Sequence, residues 1–125
     1  MTAPLQRLLI VDDDQLFRLA LRALVDVDGR LTVVGEAGTG LEALPLVERL
    51  HPDAVLIDLD MPLMDGLTTS IAIGAQWPDL RIVMLTGSTL DKQERAEIGA
   101  HVPFVLPKDH FEPQSLCDAL MGQLH

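Results

Sequence analysis

Ala54-Val55-Leu56-Ile57-Asp58-Leu59-Asp60-Met61-Pro62 decides the fold. Four consecutive apolar residues run abruptly into acid. An unbroken apolar run of this kind suits a strand covered on both faces, as at the centre of a parallel sheet. Asp58 then stands at the strand's carboxyl end, the edge where open α/β sheets bind ligands. Met61-Pro62 stops the strand, because proline has no N–H to give to a ladder. Asp65-Gly66 turns the chain into a helix. A carboxylate placed like Asp58 can act as a nucleophile or as a ligand for a hard cation. It can also do no more than cap a turn.

The same pattern recurs on both sides. Leu8-Leu9-Ile10-Val11 is a first short apolar strand ending in Asp12-Asp13-Asp14. Phe17, Leu21, Leu24 and Val25 then fall at helical spacing, with Asp14 as N-cap and Gly29 as stop. Thr32-Val33-Val34 is a second strand, and Thr39-Gly40-Leu41-Glu42 reads as a capping box opening a second helix. Pro45 falls inside that helix, where it removes a hydrogen bond near Leu41 and predicts a kink. The third helix runs from about Gly66 to Ala75, with Gly74 weakening its end. Arg81-Ile82-Val83-Met84-Leu85 is a fourth strand, leading into Thr86-Gly87-Ser88. A fourth helix, from about Leu90 to Ile98, has few apolar residues and is predicted to be the most exposed. Phe104-Val105-Leu106 is a fifth strand stopped by Pro107-Lys108. Pro113 suits the first turn of a last helix with a Leu116, Leu120, Leu124 stripe. Cys117 and Met121 beside that stripe are packing residues. Strand and helix alternate five times with short loops, which predicts a doubly wound parallel α/β sheet with helices on both faces.

The chain has 125 residues, enough for one domain with a core of its own. Hydrophobic residues make up 48% and charged residues 22%, a globular balance. A formal net charge of −10 argues against nucleic-acid binding by this domain and favours cations, Mg²⁺ included. Cys117 is the one cysteine, so no internal disulfide can form, and a reducing, cytoplasmic setting is expected. The start Met1-Thr2-Ala3-Pro4 lacks the pattern of a signal peptide, and no apolar run approaches membrane-spanning length.

In such a sheet every strand delivers its carboxyl end to one rim. Strand one brings Asp12, Asp13 and Asp14, strand three Asp58 and Asp60, strand four Thr86, and strand five Lys108, one of two lysines with Lys92. Clustered carboxylates repel unless a hard cation neutralises them. Mg²⁺ takes oxygen ligands and keeps positions open for a phosphate. A lysine and a hydroxyl are suited to phosphoryl oxygens.

Over essentially its whole length the chain resembles the receiver domain of two-component response regulators. The resemblance rests on Leu9-Ile10-Val11-Asp12-Asp13, on Leu56 to Gly66, on Val83-Met84-Leu85-Thr86-Gly87, and on Lys108. Val34-Gly35-Glu36-Ala37, Pro78-Asp79-Leu80-Arg81 and Lys108-Asp109 look like the subgroup with NarL/LuxR-type DNA-binding outputs. The resemblance implies one receiver domain over residues 1–125, a (βα)5 flavodoxin-like fold, and strand order 2-1-3-4-5. It implies that Asp58 accepts a phosphoryl group from a histidine kinase or a phosphotransfer protein. It implies Mg²⁺ held by Asp13, the Asp58 side chain and the Asp60 backbone carbonyl, with Asp12 reaching the ion directly or through water. Lys108 and an inward-turning Thr86 would hold phosphoryl oxygens, and the output would be a shift in helix four and strand five read by a partner. Homodimer formation through helix four or the last helix is a family expectation. Such a protein turns over its own phosphoryl group but processes no separate substrate.

Three departures stand out. The family often has an aromatic residue three positions before the lysine, a switch partner of the threonine. That position is Val105 here, and Phe104 lies one residue earlier. A one-residue offset flips a side chain to the other face, so either Phe104 is uncoupled from Thr86 or the strand is bulged. Asp60 stands where the family varies, and Asp14 adds an acid that reads as a helix cap. Competing readings exist. Asp58-Leu59-Asp60 also resembles the first motif of haloacid-dehalogenase-type phosphatases, although that family places the motif on its first strand and Met61-Pro62 replaces its Gly-Thr. A phosphorylation-independent binding module would not need the complete set of acids, Thr86 and Lys108. A flavin-binding module would need a phosphate loop, and none is evident.

Overall fold

A computed structural model describes residues 5–61, 65–87, 90–102, 104–109 and 111–122. Five strands alternate with five helices: β1 Gln6–Val11, α1 Gln15–Asp28, β2 Leu31–Ala37, α2 Gly40–Leu50, β3 Ala54–Asp58, α3 Gly66–Gln76, β4 Arg81–Thr86, α4 Lys92–Gly99, β5 Phe104–Pro107 and α5 Pro113–Leu120. The strands form one parallel sheet in the order β2-β1-β3-β4-β5. β3 therefore pairs on both edges, and all five of its residues are buried, as its apolar run predicts.

Strand residues alternate between two cores, because successive side chains point to opposite faces. Leu8, Ile10, Leu56, Val83 and Leu85 meet Leu21 and Val25 of α1 and Leu116 and Leu120 of α5. Leu9, Val11, Val55, Ile57 and Met84 meet Ala43 and Val47 of α2, Ile73 of α3 and Ile98 of α4. Each fully buried Leu, Ile or Val contributes about 1.5–3 kcal/mol, so the sheet is clamped from both sides. α4 is the weakly held helix: Ile98 is its buried residue, and residues 92–97 are exposed.

Several expectations are corrected. β2 extends three residues past Val34, because Val34 is left over where the β1–β2 register shifts and pairing resumes at Gly35. A Cβ at Gly35 would lie 2.5 Å from Leu50 Cδ1, so the strand passes close beneath α2 and a larger residue there would require the Leu50 side chain to shift. The capping box at α2 is half formed. Thr39 Oγ1 accepts the Glu42 N–H at 3.2 Å, but Glu42 Oε2 accepts from Gly38 N rather than from Thr39. A complete box opens α4 instead, between Asp91 and Glu94, and the helix begins at Lys92 rather than Leu90. α2 runs on through Pro45 to Leu50. α3 continues through Gly74 to Gln76. Gly29 ends α1 in the left-handed conformation at φ 82°, as expected. Pro62, Ser88 and Leu124 lie outside the described residues.

Candidate functional site

The predicted rim residues converge. β1 and β3 are neighbours, so their carboxyl ends bring Asp12 beside Asp58. Carboxylate oxygens of Asp12, Asp13 and Asp58 lie within 4.8 Å of one another. Asp12 and Asp58 are 2% and 3% exposed, whereas Asp13 faces solvent. Two ionised carboxylates this deeply buried are costly unless compensated.

Lys108 supplies part of the compensation. β5 is the edge strand beyond β4, and the Lys108 N–H donates to the Thr86 carbonyl at 2.7 Å, which anchors the residue past the strand end. Its Nζ lies 2.9 Å from Asp12 Oδ2 and 3.3 Å from Asp58 Oδ2. Asp12 Oδ2 is buried, and its contact with the Lys108 ammonium is a close ion pair. Burial pushes the Asp58 carboxyl above its ordinary range; the charge of Asp12 adds to this, and the Asp60 amide and Lys108 oppose it. Burial draws the Lys108 ammonium down, but Asp12 and then Asp58 outweigh it, and the net shift is upward. One lysine is thus shared between two acids, and it neutralises Asp58 incompletely. Three clustered carboxylates sharing one ammonium leave a surplus of negative charge, and such an all-oxygen donor set suits a hard divalent cation.

The loops are built to hold this cluster. Asp14 caps α1 as read, its Oδ1 accepting Leu16 N at 3.0 Å and Phe17 N at 3.2 Å. Asp12 Oδ1 accepts Asp14 N at 2.8 Å. Asp58 Oδ1 accepts Asp60 N at 3.1 Å, so the β3 loop folds back on its own carboxylate. The Asp60 side chain points elsewhere. Its Oδ2 accepts Gly87 N at 3.2 Å and makes a longer contact, 3.4 Å, with Thr86 Oγ1. Thr86, 7% exposed, therefore faces Asp60 across the rim.

The Phe104 question is settled by register. β4 and β5 pair regularly from Val83↔Phe104 to Thr86↔Pro107, without a bulge. Phe104 packs on the α1/α5 side. Val105 packs on the other and shares with Thr86, Leu90, Ile98 and Val102 a cavity of about 370 Å³. The larger cavity, about 560 Å³, lies at the opposite end of the sheet around His51, Trp77 and Arg81, away from the acids.

Three contributors escaped the sequence reading. Gly66 lies against the rim: a Cβ there would sit 2.2 Å from the Asp58 carbonyl oxygen and 2.6 Å from Leu59 Cα. Arg18 donates from Nη1 to the Asp12 carbonyl and pairs through Nε with Glu36, which Arg22 also holds. Phe17 lies under Lys108, with Nζ 4.4 Å from the ring centroid. The Asp65-Gly66 pair was a visible signal for the first; helical spacing alone carried no signal for the other two.

With this geometry, comparison with known proteins is decisive about family. The model of the response regulator receiver domain matches residues 8–121, and the chain belongs to that family. It is 44% identical over 80 residues to the uncharacterized transcriptional regulatory protein YhcZ of Bacillus subtilis, covering 64% of this chain and 37% of that one. It is 37% identical over 114 residues to the nitrate/nitrite response regulator protein NarP of Escherichia coli, covering 91% of this chain and 53% of NarP. The matches thus span about a third to a half of those relatives. The signal receiver domain of the putative response regulator NarL from Mycobacterium tuberculosis superposes with a TM-score of 0.85 at 27% identity, covering 96% of this chain and 99% of that one. The NarL-type likeness seen in sequence is thus met by a nitrate/nitrite response regulator among the relatives and a NarL receiver among the solved structures. Among the described residues no helix is long and apolar enough to cross a membrane.

Proposed function

We propose that Asp58 accepts a phosphoryl group and that residues 1–125 act as one phosphorylation-dependent receiver. The observation that carries this reading is the meeting of three carboxylates with the Lys108 ammonium at the carboxyl end of β3. An Asp58 oxygen forms the new P–O bond while the donor's P–N bond, in a phosphohistidine of a kinase or phosphotransfer protein, breaks. Water later attacks the phosphorus, the Asp58 O–P bond breaks, and inorganic phosphate leaves with the carboxylate restored. A carboxylate is a weak nucleophile, so this chain contributes mainly position and charge. Lys108 stands beside Asp58 to hold a phosphoryl oxygen. Thr86 supplies a hydroxyl donor once it leaves Asp60. Asp13 and the Asp58 side chain, with the Asp60 carbonyl and Asp12 directly or through water, would hold Mg²⁺. That ion supplies neutralisation of the charge gathered by the acids and the phosphoryl oxygens. The chain turns over its own phosphoryl group and no separate substrate.

Phosphorylation replaces the single carboxylate charge of Asp58 with a phosphoryl group carrying roughly 1.5 to 2 negative charges, a net gain of about one or less, and brings three acceptor oxygens. Thr86 turning toward them vacates its place beside Asp60 and the cavity it shares with Val105. The lightly anchored α4 is the element whose position that change biases, and β5 follows through Val105. Phe104, on the other face, takes no part. Acting in a longer regulator whose DNA-binding part lies outside this chain fits the transcriptional regulators among the relatives; pairing of two copies through α4 or α5 is what the family leads one to expect.

Intact mass after incubation with acetyl phosphate tests the reading. One phosphoryl adduct that requires both Mg²⁺ and Asp58, and is lost in Asp58→Asn, is the expected result. No adduct under any condition, with no response to beryllofluoride, overturns it in favour of a phosphorylation-independent binding module. Steady-state hydrolysis of a phosphate ester would favour the dehalogenase-type reading instead.

A further inference from the structure

Lys108 touches more than its two acids. Its ammonium lies over the face of Phe17, 4.4 Å from the ring centroid, with the lysine side chain 18% exposed. Lysine carries a flexible four-carbon stem and a compact charge, so holding it at one point costs rotamer freedom unless walls confine it. Here the charge meets three attractive surfaces: Asp12 at 2.9 Å, Asp58 at 3.3 Å and the negative face of an aromatic ring.

The ring is placed by the acid loop itself. Asp14 Oδ1 accepts the Phe17 N–H at 3.2 Å, and the Asp14 N–H in turn donates to Asp12 Oδ1 at 2.8 Å. Phe17 is therefore tied by two hydrogen bonds to a residue of the carboxylate cluster. The side chain, partly buried, also packs against the α1/α5 core. A leucine at this position would fill much of the same space but has no quadrupole to offer an ammonium.

We propose that Phe17 is a positioning residue for phosphoryl transfer, its ring face fixing the Lys108 ammonium beside Asp58. The inference rests on Asp58 being the phosphoacceptor. Once that carboxylate carries a phosphoryl group its own oxygen is no longer a full counter-charge for Lys108. The ring contact survives this change, so it holds the lysine in reach of the transferred group while its partner passes from the Asp58 oxygen to a phosphoryl oxygen.

The test uses the whole chain with Phe17 replaced by mono-, di- and trifluorinated phenylalanine, alongside Phe17→Leu and Phe17→Tyr. Fluorine drains the ring's negative face with little change in size. The readout is the rate of adduct formation from acetyl phosphate at saturating Mg²⁺. The rate is expected to fall stepwise with fluorine count, and Phe17→Leu to lose on the order of threefold to tenfold. Phe17→Tyr, which keeps the ring, should restore the rate to within roughly twofold. Equal rates across the fluorine series overturn the inference even if Phe17→Leu is slow, because bulk alone would then explain the loss. An adduct on no chain refutes the phosphoacceptor reading, and this inference falls with it. Adducts forming equally fast on native and Phe17→Leu chains refute this inference alone. The upfield ring-current shift of the Lys108 ε-methylene protons, expected in the native chain and lost in Phe17→Leu, reports the contact apart from the chemistry, and its absence from the native chain also overturns the inference.

Discussion

Gly66→Ala adds one methyl group at the start of α3, and the structure says where it would go. The new Cβ would stand 2.2 Å from the Asp58 carbonyl oxygen, 2.8 Å from the Asp58 carbonyl carbon and 2.6 Å from Leu59 Cα. All three are backbone atoms, so no rotamer change can relieve the clash. A tolerable contact needs at least 3.0 Å, so the helix start and the β3 end must part by about 0.8 Å. That movement stretches the Gly66 N–H to Leu59 carbonyl bond, now 3.0 Å, and displaces the segment that carries Asp58. Overpacking of this kind costs about 1–3 kcal/mol, and partial loss of the hydrogen bond about 1 kcal/mol more. A loss of roughly 2–4 kcal/mol is therefore expected. A shift approaching 1 Å at a reacting group can cost roughly a hundredfold in rate, so phosphorylation by acetyl phosphate should slow by about tenfold to a hundredfold. Urea unfolding followed by the single tryptophan, half-buried Trp77, measures the first, and intact mass the second. Gly74→Ala is the control. It lies on the same helix with nothing within 4 Å of its Cβ, and it should stabilise by about 0.5–1 kcal/mol. If Gly66→Ala unfolds within about 0.5 kcal/mol of the native chain and is phosphorylated at an unchanged rate, the close approach is not real and the reasoning fails.

Other consequences follow from the same contacts. Glu36 is held below the usual carboxylate range first by its hydrogen bond from Arg22 and also by Arg18, against the cost of burial. A lowered folded-state pKa means this contribution is present above the ordinary value of 4.5 and is lost as pH falls through the folded one. Glu36→Gln should thus cost about 1 kcal/mol at pH 7, with the gap to the native chain closing as unfolding is measured at successively lower pH below 4.5. Burial, with Asp28 nearby, pushes the Cys117 thiol up to about 11, so it should resist alkylation by iodoacetamide at pH 8 in the folded chain and react once urea unfolds it. Asp60→Ala removes the carboxylate that accepts the Gly87 N–H, and exchange of that amide should quicken by roughly tenfold, while α2 amides stay protected.

Much of this protein is legible from residue order alone. Apolar runs at Leu8–Val11, Ala54–Ile57 and Ile82–Leu85 announce buried strands because a parallel sheet under two helix layers leaves no polar side. The acids directly after two of those runs, Thr86 after the third and Lys108 after the last strand locate one rim, since parallel strands all end on the same side. Local signals such as Asp14 and Gly29 bound α1, because caps act through hydrogen bonds within a few residues. What depends on distant parts of the chain was not legible. The length of β2 was hidden because its last three residues belong in a strand only through pairing with β1, and the approach of Leu50 to Gly35 comes from a helix docked over that strand. The partner of the Glu42 side chain was decided by where the β2–α2 loop runs. The face taken by Phe104 needed the β4–β5 register, in which one residue's offset exchanges the two cores. The sharing of Lys108 between Asp12 and Asp58 over Phe17 required β1, β3, β5 and α1 to meet at once. Sequence determined which residues stand at the rim, because strand direction is a local property read out by period and punctuation. Only the tertiary structure decided which of them touch, because distance between chain-remote groups is set by packing.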